Sequence, residues 1–151
     1  MIVVENMTMA HLDVVCQIEL DSFAIPWSRA SFERELTQNN LAIYLIAKEI
    51  IGGKETVIGY AGMWHVVTEG HITNVAISPG HRGKGGGGLL VEALINMAEE
   101  KEMIGITLEM RVGNHTAFSL YTKYGFKVEG LRKNYYTDTG EDALVLWKNL
   151  P

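Results

Sequence analysis

A glycine tract, Gly83-Lys84-Gly85-Gly86-Gly87-Gly88, is the stretch of this chain best suited to chemistry. An apolar, β-branched run containing Ile72, Val75 and Ile77 precedes it, Pro79-Gly80 breaks that run, and an apolar helical pattern starts near Leu89. A strand that ends in such a loop before a helix leaves unpaired N–H groups at the positive end of the helix dipole, facing a space without side chains. That is a seat for phosphate oxygens, and glycine is required because a Cβ would hold the anion off the amides. Other side chains with reactive potential are scattered. Glu109 interrupts an apolar strand pattern on the face opposite Leu108 and Met110, Tyr121 sits beside Phe118 on a helical pattern, and His71 begins a strand. Each also has a plainer reading: a solvated carboxylate, a core aromatic, a surface histidine. Cys16, on an apolar helix face, reads as inert core, and no Cys/His/Asp cluster has metal-ligand spacing, so no metal is expected.

The phosphate carrier can be narrowed. A Walker A loop needs Gly-Lys followed by Ser or Thr, but Gly83-Lys84 is followed by Gly85. Gly83, Gly85 and Gly88 do satisfy G-x-G-x-x-G, and Glu109 lies about 20 residues further on, where a ribose-binding acid belongs. Four consecutive glycines satisfy almost any glycine pattern, however. Pro79-Gly80-His81-Arg82 separates strand from loop, and a C-terminal hairpin occupies the space that further βαβ units would need.

The run Arg82-Gly83-Lys84-Gly85-Gly86-Gly87 resembles the R/Q-x-x-G-x-G/A pyrophosphate loop of the GNAT superfamily of acetyl-CoA-dependent N-acetyltransferases. Leu108-Glu109-Met110-Arg111, Asn114, Leu120-Tyr121, Gly125-Phe126, Arg132-Lys133-Asn134-Tyr135-Tyr136 and Glu141-Asp142-Ala143 are similar to the bacterial ribosomal-protein alanine N-acetyltransferases. So is Pro26-Trp27-Ser28 with Phe32 and Glu35-Leu36 behind it, and the likeness covers nearly the whole chain. Gly86 and Gly88 depart from it, since the family has an aliphatic residue at the first position and a larger one at the second. Extra glycines loosen a helix start by up to about 1 kcal/mol each relative to alanine.

The resemblance implies acetyl-CoA as co-substrate and assigns roles. Arg82, Gly83, Lys84, Gly85, Gly86, Gly87 and Gly88 would hold the diphosphate. The backbone of Val75, Ala76 and Ile77 would hold the pantetheine arm as a pseudo-strand, against the alternative of ordinary sheet pairing. Asn114 would touch the cofactor as well as cap a helix. Glu109 becomes the general base and Tyr121 the acid for the departing thiolate. Ile25, Pro26 and Trp27, with Tyr135 and Tyr136, would wall the acceptor groove, and His71 would line the same cavity. The implied acceptor is a protein α-amino group, the N-terminal alanine of a small-subunit ribosomal protein. An α-amino group titrates near ~8 and a lysine side chain near ~10.4, so a carboxylate suffices to free the former. A lysine or small-amine acceptor, a non-catalytic acetyl-CoA sensor and a nicotinamide dehydrogenase are the rival functions.

These residues need elements to position them. Residues 2–5 read as a strand, and Thr8 caps a helix with Met9, Leu12, Cys16 and Leu20 on one face. Ser28 caps a second helix bearing Phe32 and Leu36. Residues 41–49 and 56–67 form a hairpin, a turn at Glu69-Gly70 leads to a strand at 72–78, and a helix covers 87–101. A strand at 104–112 and a helix capped by Asn114 and stopped by Gly125 come next, followed by a hairpin of 126–136 with 142–147 around Asp138-Thr139-Gly140. The result is one mixed α/β domain spanning residues 1–151, in the GNAT-like case three layers with about six or seven mostly antiparallel strands flanked by four helices. A net charge of −5 without a basic run argues against direct nucleic-acid binding and is compatible with a basic protein partner. A single cysteine, no signal-peptide pattern and no bilayer-length apolar run point to a cytoplasmic protein without membrane contact, expected as a monomer or weak homodimer.

Overall fold

Alternating burial marks the central strand. Between Glu69 and Ile77 every second residue, Gly70, Ile72, Asn74 and Ala76, is buried. The computed structural model describes residues 1–151. Its strands are β1 (Ile2–Asn6), β2 (Ala42–Ile51), β3 (Lys54–Val66), β4 (Glu69–Ile77), β5 (Gly105–Arg111), β6 (Lys127–Arg132) and β7 (Ala143–Asn149). The helices are α1 (Leu12–Ser22), α2 (Arg29–Thr37), α3 (Gly86–Glu100) and α4 (His115–Lys123), with short 3-10 turns at Met9–His11 and Pro79–His81. One seven-stranded sheet runs in the order β1-β2-β3-β4-β5-β7-β6, antiparallel throughout except between β4 and β5.

Two apolar cores make the layers. On one face Leu90, Val91, Leu94 and Ile95 of α3 pack with Ile58, Met63, Ile106 and Leu146 of the sheet, and Tyr121 and Phe126 extend that cluster. On the other, Leu12, Val15 and Ile18 of α1 and Phe32 of α2 cover Tyr44, Ile46, Tyr60 and Ala76. Full burial of one such aliphatic side chain stabilises by about 1.5–3 kcal/mol, which outweighs the propensity cost of a glycine-rich first turn in α3.

Three boundaries differ from the sequence reading. The first helix begins at Leu12, after a turn in which Thr8 N–H donates to His11 Nδ1 at 2.9 Å. That shift rotates the buried stripe to Leu12, Val15, Ile18 and Glu19, leaving Met9 and Leu20 exposed and Cys16 half-buried. β4 begins at Glu69, so Gly70 lies inside a strand and not in a turn. Packing is the reason: a Cβ on Gly70 would come within 2.8 Å of Met63 Sδ and 3.2 Å of Met103 Sδ. In the last hairpin β6 stops at Arg132, and residues 133–142 leave the sheet as a loop.

Gly105, on the first rungs of β5, has the Trp147 ring where its side chain would be. Gly105→Ala should therefore destabilise the fold by about 1–3 kcal/mol through overpacking. Urea unfolding should show a lower midpoint with an unchanged slope.

Candidate active site

Pairing between β4 and β5 stops almost as soon as it starts. Their ladder covers Glu69–His71 against Gly105–Thr107 and goes no further. β4 keeps β3 beside it to the end, with Ile77 opposite Gly59, and β5 keeps β7 out to Arg111. From Ile72 and Leu108 onward each strand therefore presents one main-chain edge to a gap, and such groups require partners. Sheet pairing does not continue along Val75, Ala76 and Ile77 on the β5 side. A cavity of about 430 Å³ opens in this gap.

The glycine loop lies at the far end of β4, beyond the residues that line the cavity. Gly83 and Gly85 have φ values of 81° and 90°, and a Cβ on either would meet nothing within 4 Å, so the space above them is open. The first helical bond of α3 runs from Leu89 N–H to the Gly85 carbonyl at 3.1 Å. The N–H groups of Gly86, Gly87 and Gly88 precede it and have no intrahelical acceptor. Bare backbone, free amides and a helix start fit a diphosphate. Arg82 braces this loop, its Nε donating to the Ile77 carbonyl (2.9 Å) and its terminal nitrogen to Ser22 Oγ (3.3 Å). Lys84 Nζ lies 3.6 Å from the Glu49 carboxylate.

The two unusual glycines have structural correlates. A Cβ at Gly86 would stand 3.3 Å from Ile77 Cδ1 and 3.4 Å from Ile58 Cδ1, a tight fit that needs both isoleucines to give slightly. At Gly88 it would come within 2.6 Å of the Tyr124 hydroxyl, which occupies the space that a larger residue would need.

Glu109 and Tyr121 both line the cavity, as does Asn114. Glu109 is not a solvated strand residue: its side chain is 12% exposed, with His71 Nε2 2.7 Å from one oxygen and Arg132 Nε 3.6 Å from the other. His71 does not itself line the cavity but stands behind Glu109. Tyr121 is buried, edge-on to Phe126 with ring centroids 5.5 Å apart. Burial, reinforced by neighbouring Tyr136, pushes its phenol far above the ordinary tyrosine range. Asn114 caps α4, its Oδ1 accepting from Ala117 N–H at 3.1 Å.

Ile25 and Trp27 line one side and Tyr135 and Tyr136 another, while Pro26, expected with them, does not reach the cavity. The first wall is held by a residue that sequence reasoning missed. Glu19 is 2% exposed, and its carboxylate accepts from the Trp27 N–H (2.7 Å) and from the Tyr60 hydroxyl. An acidic residue beside Val15 and Ile18 on an otherwise apolar helix face is the signal that could have revealed it. The second wall is clamped by Arg111, whose guanidinium donates twice to Asp138 (3.0 and 2.9 Å) and stacks 4.1 Å from the Tyr136 ring centroid. Burial pushes the Tyr136 phenol up to about 12, although Arg111 opposes it.

The profile described as the Acetyltransferase (GNAT) family matches residues 12–126. This chain belongs to the GNAT family. A *Bacillus subtilis* (strain 168) protein provisionally named a ribosomal protein bS18-alanine N-acetyltransferase is 42% identical over 144 residues, covering 95% of this chain and 93% of its own. The bS18-alanine N-acetyltransferase of *Escherichia coli* (strain K12) is 30% identical over 145 residues, covering 95% and 94%. The crystal structure of the ribosomal-protein-S18-alanine N-acetyltransferase from *Escherichia coli* superimposes with a TM-score of 0.86 at 28% identity, over 99% of this chain and 94% of the other. As a GNAT protein the chain is an acetyl-CoA-dependent N-acetyltransferase. No His/Cys/Asp/Glu group is arranged to hold a metal ion, and no helix is long and apolar enough to cross a membrane.

The Arg111 clamp makes a pH prediction. Hydrogen bonds from Arg111 hold the Asp138 carboxyl below its ordinary range, so its contribution exists above the unfolded value, near ~3.9, and is lost as pH falls through the lower folded one. Protection factors for the amide protons of residues 134–141, taken relative to intrinsic exchange at each pH, should hold steady from pH 8 to 5 and fall only below about pH 4. In Asp138→Asn they should be low at every pH.

Proposed function

We propose that this GNAT enzyme acetylates the α-amino group of a protein, with the N-terminal alanine of the small-subunit ribosomal protein bS18 as its acceptor. The observation that carries the reading is the joint presence of Glu109 and Tyr121 on one cavity, where β4 and β5 part and the glycine loop lies beyond. The bS18-alanine specificity named for the *Bacillus* and *Escherichia* relatives supports the acceptor.

The acetyl-CoA thioester supplies an activated acyl group, its diphosphate held by the loop from Arg82 to Gly88. Main-chain groups along Val75, Ala76 and Ile77 that stay unpaired on the gap side, the Ile77 carbonyl being taken by Arg82, orient the pantetheine arm and polarise the acyl carbonyl. Glu109 takes the proton that an acceptor ammonium must lose, a modest task for a group titrating near ~8. Tyr121 stays protonated through the neutral range, because burial favours its uncharged form, and donates to the departing sulfur. Ile25, Trp27, Tyr135 and Tyr136 form the groove walls and exclude water around the first residue of the acceptor. The protein's net charge of −5 suits a basic ribosomal partner.

Glu109→Gln and Tyr121→Phe should each lower kcat by about 10²-fold or more. Calorimetry should show acetyl-CoA binding intact in both. Gly85→Glu should abolish that binding by placing a carboxylate in the diphosphate seat. On a peptide panel read by mass, an N-terminal alanine peptide from bS18 should be acetylated at its α-amino group, whereas an α-blocked peptide with a free lysine should not. Full activity in both Glu109→Gln and Tyr121→Phe would reject the mechanism.

A further inference from the structure

His71 and Trp64 sit opposite each other on β4 and β3, and His71 also pairs with Thr107 on the last rung of the parallel β4–β5 ladder. Glu109 lies two residues past Thr107, on the same face of β5, just where the strands begin to part. The histidine at the apex of the wedge is therefore placed to meet the carboxylate at its mouth, and Nε2 lies 2.7 Å from Glu109 Oε2. The Trp64 ring stands edge-on to the imidazole, with centroids 6.2 Å apart, and limits its rotation. The histidine side chain is 34% exposed and the glutamate 12%, so the pair spans the boundary between cavity and solvent. Nδ1 has no protein partner and is not enclosed, which leaves it accessible to water.

We infer that His71 is a positioning residue for Glu109: Nε2–H donates to Oε2 and fixes the orientation of the carboxylate at the mouth of the cavity. This rests on the reading of Glu109 as the base. The charged and titratable neighbours of the pair are Arg132 of β6, 3.6 Å from Oε1, and Tyr136 of the 133–142 loop, whose phenol is raised in part by Glu109. Trp64 of β3 is uncharged. Held by one hydrogen bond from His71 and an ion pair with Arg132, the carboxylate keeps one orientation, in which it accepts a proton from the acceptor ammonium. No bond to His71 forms or breaks during acetyl transfer. The proton taken from the amine goes to Glu109 and leaves to water.

The consequence is that turnover depends on the hydrogen bond and not on the imidazole as such. Glutamine can donate the same hydrogen bond. His71→Gln should therefore restore kcat to within about threefold of the parent. His71→Ala should lose about tenfold in kcat with the peptide KM unchanged, because Glu109 is no longer aimed. Nitrogen-15 NMR of the imidazole should show a proton on Nε2, and Glu109→Gln should alter that signal without any turnover being involved. Melting temperatures of both His71 variants should match the parent. Full kcat in His71→Ala, with Glu109→Gln impaired, would overturn the role of His71 alone. Full activity of Glu109→Gln would remove the base assignment and this inference with it.

Discussion

A parallel strand pair that is allowed only a few rungs governs this molecule. β4 and β5 are joined from Glu69 to His71 against Gly105 to Thr107, then separate while each stays bonded to an antiparallel neighbour. Half of the main-chain requirement of each strand is thus met within the protein. The remainder faces the gap, and leaving such a group buried and unsatisfied costs about 1–3 kcal/mol. A dry, closed gap would be untenable on those terms. An open cavity, wetted or filled by an extended ligand with its own amides, is the stable solution.

The parted strands are kept apart by what packs on them. On one face α3 spans the sheet with Leu90, Leu94 and Ile95, and Tyr121 and Phe126 extend the same core around the C-terminal half. On the other, Phe32 stacks edge-on against both Tyr44 and Tyr60, with centroids 6.4 and 5.6 Å apart. Polar ties then set the walls. The Arg29–Asp13 and Arg29–Glu33 pairs are exposed, and pairs of that kind contribute at most about 1 kcal/mol. Arg111 is different, since one guanidinium meets Asp138 with two parallel bonds and also covers a tyrosine ring. Geometry of that kind orders a loop that has no strand to lean on.

Much of the architecture was legible in the sequence because it rests on local rules. Ser28 and Asn114 cap their helices as their side chains allow, accepting from Ser31 and Ala117 N–H, and Gly125 ends α4. The antiparallel run of β2, β3 and β4 follows from short connections. What could not be read depended on partners distant in sequence. Gly70 looks like a turn residue until Met63 and Met103 are seen above it. His71 looks like a surface residue until β5 brings Glu109 to it, and the plainer reading of Glu109 fails for the same reason. The break in the β4–β5 ladder has no residue signature either, since Val75 and Ile77 would serve equally well in a continuous sheet.

Glu19 carries a consequence for how this scaffold can change. One carboxylate ties the peptide of Trp27 to the hydroxyl of Tyr60 in the sheet, so the groove wall inherits its position from the aromatic core beneath it. Phe23 and Ile25 line the cavity beside that tether, 38% and 63% exposed. They form a replaceable facing on a fixed mount. As part of the proposed acceptor wall they can change one side chain at a time without loosening the foundation, whereas drift at Glu19 would move the whole panel at once.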